Sequence, residues 1–188
     1  MKIRPDDQWQ WYFDTEHDRI MLDLANGMVF RSRFPAKMLT NYAIAMKKNS
    51  FSVDDAALYY TFEEHARRIN IAPALRSELA LNSVVAFRFM KPLMPKSWYF
   101  SVSSLITKPE QGEIVQVYLQ DDERQESRAE AIFMVAEAGD NASVCLLAQQ
   151  TLDLGDRVMN FCDPIKIMND RLMPYIEPTA ASIYDQAI

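Results

Sequence analysis

Two histidines, two cysteines and four glycines are what 188 residues offer for the commonest catalytic and metal sites. His17 lies beside Asp18, and imidazole next to carboxylate is a pair that metals use. No second histidine-bearing segment completes a coordination sphere, since His65 stands alone in the helix-like stretch EEHARR. With no HExxH and no cysteine pair at zinc spacing, no metal site is expected. Neither Cys145 nor Cys162 has a candidate base beside it, and no serine sits in a GxSxG elbow. Gly27, Gly112, Gly139 and Gly155 are too scattered to build a loop that cradles phosphate. The pairs Asp6-Asp7, Asp54-Asp55 and Asp121-Asp122 suit turns and helix starts, where aspartate bonds nearby backbone N–H groups. The expectation is a non-enzymatic chain with no catalytic residue and no cofactor.

Charge and apolar patterning then point to binding. Residues 1–100 carry 14 Lys and Arg against 11 Asp and Glu, a net +3. Residues 101–188 carry 6 against 15, a net −9, and the whole chain stands at −6. A polyanion would meet repulsion from the second half, so no nucleic-acid partner is expected. The first half could attract an acidic protein segment. Arg31, Arg33, Arg88, Lys91 and Lys96 could ring an apolar pocket that uses Leu22 with Leu93 or Met94, a composition typical of peptide-binding hot spots. The plainer reading puts these aliphatics in the core and the arginines at its rim. No apolar run approaches the ~20 residues of a membrane span, and MKIRPDDQWQW has no secretory h-region. Two cysteines fit a reduced, cytoplasmic setting.

Residues 4–34 must position much of this. Trp9, Trp11 and Phe13 alternate with polar neighbours, as on a strand. Asn26-Gly27 between two apolar runs predicts a two-residue hairpin turn, pairing Ala25 with Met28 and Leu22 with Arg31. One ribbon face would then hold Ile20, Leu22, Leu24, Val29, Arg31 and Arg33. Residues 36–51 have no clean period and read as an irregular connection. Ser52-Val53-Asp54-Asp55 opens a helix whose inner face is Leu58, Phe62, Ala66 and Ile69. Pro73 opens a second helix, apolar nearly all round from Leu79 to Met90 and so packed on more than one side.

KPLMPKSW stops that helix, and beyond it the period changes from 3.6 to 2. The predicted organisation is α+β. Residues 1–95 form an N-terminal α/β domain of antiparallel hairpin strands plus two helices, and residues 96–188 form a small barrel or curled sheet. Its expected strands are Trp98–Ser103, Ile114–Gln120, Ala131–Glu137, Ser143–Gln149, Arg157–Cys162 and Ile165–Asn169. Residues 121–130 read as a charged loop and residues 174–188 as a surface tail.

The segments RPDDQWQWYFDTEHDRIMLDLANGMVFRSRF, VDDAALYYTFEE, KPLMPKSW, CLLAQ and IKIMNDRL resemble, in this order, the ZapC family of Z-ring-associated cell division proteins. The resemblance spans most of the chain, including the ending SIYDQAI, but not residues 41–50 and 121–130. It implies a cytoplasmic, non-enzymatic protein at midcell that binds the tubulin-like division GTPase FtsZ. It also implies that the protein promotes lateral bundling of FtsZ protofilaments and stabilises the ring. The implied fold is an N-terminal α/β domain followed by a C-terminal twisted β-barrel. Leu22, Lys91 and Lys96 match family positions of functional interest. The C-terminal tail of FtsZ, an amphipathic segment on a flexible linker, would suit a groove of aliphatics and basic groups formed by these residues with Arg31 and Arg33. A crosslinker must reach two filaments, either through two surfaces on one chain or through weak self-association.

Overall fold

In a computed structural model, which describes residues 4–103, 105, 108–120 and 129–177, the chain folds as α+β with antiparallel sheets. Strand β1 (Gln10–Asp14) pairs with β2 (Arg19–Asp23), flanked by β3 (Val29–Arg31) and the short β4 (Asn49–Ser50), in the order β3-β2-β1-β4. Trp9 and Trp11 turn inward as their alternation predicts, and both contact the Phe51 ring.

The hairpin between β2 and β3 closes one residue away from the expected register. The Leu24 N–H donates to the Met28 carbonyl at 3.0 Å, leaving the loop Ala25-Asn26-Gly27. The Asp23 carboxylate accepts from Ala25 N–H at 2.9 Å, and the Asn26 side-chain oxygen accepts from Met28 N–H at 3.1 Å. These local bonds hold Ala25 at φ 63, where Gly27 at φ 85 alone sits without penalty. The pairs are therefore Met21 with Arg31, Leu22 with Phe30, and Asp23 with Val29. A slip of one residue exchanges the faces of a strand. Leu22 joins Phe30 on the core side, while Arg31 and Val29 turn outward.

Helix α1 (Asn41–Ile44) gives one capped turn to the connection expected to be irregular. Helix α2 (Val53–Ala66) starts at the predicted capping box, with Ser52 and Asp55 bonding each other's backbone N–H. Its buried residues are Asp55, Tyr59, Phe62 and Ala66; Phe62 and Ala66 lie on the predicted face, Ile69 just beyond the helix is buried as expected, and Leu58 is half-buried against the same core. The Asp55 carboxylate is fully buried and accepts from Trp11 Nε1 at 3.0 Å and from the Arg88 guanidinium at 2.6 and 2.7 Å. One side chain thus ties β1, the start of α2 and the end of α3 (Pro73–Phe89). Asp55→Ala would strand three donors and remove a helix cap, so it should destabilise the fold by about 3–5 kcal/mol. Urea unfolding checks this; a midpoint like that of the unmodified chain would contradict it.

Helix α3 is buried along most of its length, from Ser77 to Phe89, as its all-round apolar sequence predicts. One side packs on α2 and the first sheet. The other meets β5 (Ile114–Tyr118), β6 (Glu130–Glu137) and β7 (Ala142–Leu147) through Ile114, Met134, Ala136, Val144 and Leu146, all within the same core. These strands lie in the order β10-β7-β6-β5-β11, with a ribbon of β8 (Thr151–Asp153) and β9 (Val158–Asn160) beside them. The outer strands are β10 (Pro164–Met168) and β11 (Met173–Pro174). The far face of this sheet carries Val115, Phe133, Val135, Cys145 and Ile167, covered by Phe100, Leu152 and Met159.

The strand expected over Trp98–Ser103 is a 3-10 turn, Ser97–Tyr99, followed by a bridge from Phe100 to Leu119. Ser97 is held differently because its Oγ accepts from Met168 N–H at 2.8 Å. Gly112 at φ 92 lets the loop before β5 settle on α2, since a Cβ there would lie 3.1 Å from Thr61 and 3.2 Å from His65. No helix among the described residues is long and apolar enough to cross a membrane. The charged loop and the tail fall largely outside the described residues.

Candidate partner-binding surface

The five residues expected to contact a partner separate into three places. Leu22 is completely buried. In this conformation it offers nothing to a partner directly; it fills the core behind the first sheet. Arg31 and Arg33 are exposed beyond β2, and the Arg33 N–H is anchored by the Asn82 side chain at 2.9 Å. Lys91 and Lys96 lie on the proline-bearing segment after α3. Arg88, considered alongside them, is drawn instead to Asp55 and over the Phe89 ring.

Backbone bonding explains how that segment is displayed. Pro92 and Pro95 cannot donate, so it cannot continue α3 or become an inner strand. The Lys91 N–H donates to the Met38 carbonyl at 2.8 Å, and the Lys96 N–H to the Lys166 carbonyl at 2.9 Å. Between these two anchors Leu93 is half-buried and Met94 is 80% exposed. A cleft opens on either side. The larger, of 410 Å³, gathers Lys37, Lys96, Arg157 and Lys166 against the single carboxylate of Asp163. Met38, Leu93, Met94 and Ile165 give it an apolar floor. The smaller, of 270 Å³, includes Lys91, Phe87, Met90, Val144 and the carboxylate of Glu137, and shares Leu93 and Lys166 with the first.

None of Lys37, Lys91, Lys96, Arg157 and Lys166 forms an ion pair among the described residues. No ion pair among the described residues neutralises their positive charge, while their alkyl stems can lie along the apolar lining. An apolar centre bordered by unpaired cations is suited to an acidic protein surface with an apolar contact point. Lys37, Arg157 and Lys166 did not stand out in the sequence. Two of them come from the acidic half, and only tertiary pairing brings them to Lys96.

The groups with reactive potential are engaged elsewhere. His65 Nδ1 donates to the Thr61 carbonyl at 2.8 Å. His17 Nδ1 is 2.6 Å from Asp14 Oδ2, an exposed contact that lowers the Asp14 carboxyl pKa from its ordinary value. Ligand atoms of Asp14, Glu16 and His17 lie within 4.8 Å of one another, but Asp18 is outside that group and accepts from Ala36 N–H. Burial pushes both the Cys145 and the Cys162 thiols up, with the charge of Glu78 adding to the shift at Cys162. A raised pKa keeps the thiol protonated, so thiolate is scarce near neutral pH. Ellman's reagent should modify neither cysteine in the folded protein and both in urea; rapid reaction of the folded chain would contradict that burial.

Two family models match successive parts of the chain. The family model for the N-terminal part of cell-division protein ZapC matches residues 2–91, and the model for its C-terminal part matches residues 92–177. The cell division protein ZapC of Xenorhabdus bovienii is 75% identical over the full length of both chains. That of Proteus mirabilis is 55% identical, covering 93% of this chain and 92% of the relative. A more distant relative with the same name, from Vibrio cholerae, is 34% identical over 90% of this chain and 91% of its own.

Proposed function

Because the chain belongs to the ZapC family of cell-division proteins, we propose that it binds FtsZ through the paired clefts beside Leu93 and Met94. It acts without catalysis, in the cytoplasm at the division ring, by holding protofilaments side by side. The observation that carries this reading is the set of unpaired cations around one apolar centre. Lys91 and Lys96 belong to that surface, joined by Lys37, Arg157 and Lys166. Leu22 supports the fold from within, and Arg31 and Arg33 lie apart.

Two clefts that meet at Leu93 and Lys166 offer a wider face than one short peptide needs. That shape favours a folded, acidic face of FtsZ over its C-terminal tail alone. Lateral bundling then requires a second surface on the chain or weak self-association, so that two filaments are held at once. The residue ranges 1–95 and 96–188 serve here as two halves of one binding unit, since each contributes cations to the larger cleft.

Co-pelleting with GTP-assembled FtsZ tests the proposal. The chain should sediment with polymers, thicken them in electron micrographs, and release as salt rises and screens the cations. Binding should persist when the FtsZ tail is removed. A chain that stays in the supernatant at low salt would overturn the proposal, and total loss without the tail would overturn the folded-face version of it.

A further inference from the structure

The larger of the two basic clefts has a size and charge that fit a small guest as well as a protein face. Its volume of 410 Å³ lies in the range of small-ligand sites. We propose that it binds the triphosphate group of a compact anion, either a free nucleotide or inorganic tripolyphosphate. The proposal uses the geometry of the cleft alone and stands independently of the FtsZ reading.

Four separate stretches of chain supply the charge. Lys37 sits in the 3-10 turn Ala36–Met38, Lys96 on the proline-bearing segment, Arg157 in the turn between β8 and β9, and Lys166 on β10. Backbone bonds fix where these stretches lie. The Met38 carbonyl accepts from Lys91 N–H at 2.8 Å, the Lys166 carbonyl from Lys96 N–H at 2.9 Å, and the Arg157 carbonyl from Leu154 N–H at 2.9 Å. Lys96, Arg157 and Lys166 are half-buried, so water only partly screens the repulsion between their like charges. None of the four has an ion pair among the described residues. Asp163, the carboxylate on the lining, already accepts from Asn160 N–H at 2.7 Å. A multiply charged anion relieves the repulsion at all four positions at once, which one carboxylate cannot do.

Chemistry narrows the guest further. The planar guanidinium of Arg157 can take two phosphate oxygens side by side, and the ammonium groups of Lys37, Lys96 and Lys166 add point charges. A run of three phosphates offers negative oxygens enough for every one of them. Met38, Leu93 and Ile165 give an apolar floor on which the base of a nucleotide can lie. A nucleic-acid strand is a poorer match, because it would run past the cleft onto a half of the chain with 15 Asp and Glu against 6 Lys and Arg. Side chains rather than backbone N–H groups do the holding, so the site needs no glycine-rich loop.

Isothermal titration of the full chain with sodium tripolyphosphate, ATP and sodium phosphate tests this, at low salt and without magnesium. Tripolyphosphate and ATP should each saturate one site per chain, with single phosphate at least about ten-fold weaker. Equal affinity for the first two would assign the contact to the phosphates alone, and tighter ATP would add the base on the apolar floor. Lys37→Gln with Lys166→Gln should weaken both by about ten-fold or more, whereas Arg31→Gln, away from the cleft, should change neither. Matching thermal midpoints show that these variants fold. Equal affinity in the double variant and the unmodified chain would overturn the proposal. So would titrations that never saturate with either anion, the mark of a diffuse ion atmosphere rather than a site.

Discussion

Leu22→Asp is expected to yield a chain with no cooperative unfolding transition. Leu22 is completely buried in the core beside Trp11, its partner across β1 and β2. Losing the leucine removes about 1.5–3 kcal/mol of apolar burial. Stripping water from the new carboxylate adds a penalty of several kcal/mol, since Leu22 is fully buried. Together these approach the ~5–15 kcal/mol that holds a domain folded. Circular dichroism through a thermal ramp is the measurement. Leu22→Ala, with a cost of about 2–5 kcal/mol, should instead fold with a lowered midpoint. A Leu22→Asp variant that melted like the unmodified chain and yet lost its partner would make Leu22 a contact residue after all.

Lys96→Glu combined with Lys166→Glu is expected to weaken FtsZ binding about 100-fold or more, because like charges set against a partner cost several kcal/mol. The larger cleft would pass from four cations and one acid to two cations and three acids. The fold should tolerate the change. The bond that seats this segment runs from the backbone N–H of Lys96 to the backbone carbonyl of Lys166, and neither side chain takes part. The residual binding should also lose most of its salt dependence, since the screened attraction is what was removed.

Local chemistry made much of the fold legible. Ser52 with Asp55 marks a helix start because each can satisfy the other's backbone N–H, and Pro73 marks one because its missing N–H has no partner to lose there. The all-round apolar sequence of α3 announced that it packs on two sides. Other features depend on contacts distant in sequence. Nothing near Asp55 says that it will be buried against Trp11 and Arg88, or that Tyr59 will be buried beside the expected Phe62 and Ala66. At the hairpin, Asn26-Gly27 located the turn but not its length, because side-chain bonds from Asp23 and Asn26 stabilise a three-residue loop with Ala25 in a left-handed conformation. That single residue moved Arg31 off the Leu22 face.

The site was less legible than the fold for the same reason. Lys91 and Lys96 stood out by charge patterning and by a family resemblance, whereas Lys37 lies more than a hundred positions before Arg157 and Lys166 and shares a cleft with them only in the folded chain. Averaging charge over residues 101–188 hid two cations that the fold concentrates at one edge. Net charge describes a whole surface, and a binding face is a local arrangement.

The central claim, that the basic double cleft is the FtsZ-binding surface, is tested most directly by sedimenting FtsZ polymers with the unmodified chain and with the Lys96→Glu/Lys166→Glu variant at low salt. Both proteins should first show matching thermal midpoints. The claim predicts that the unmodified chain enters the pellet and bundles filaments while the variant remains in the supernatant. A folded variant that pellets as fully as the unmodified chain would contradict it.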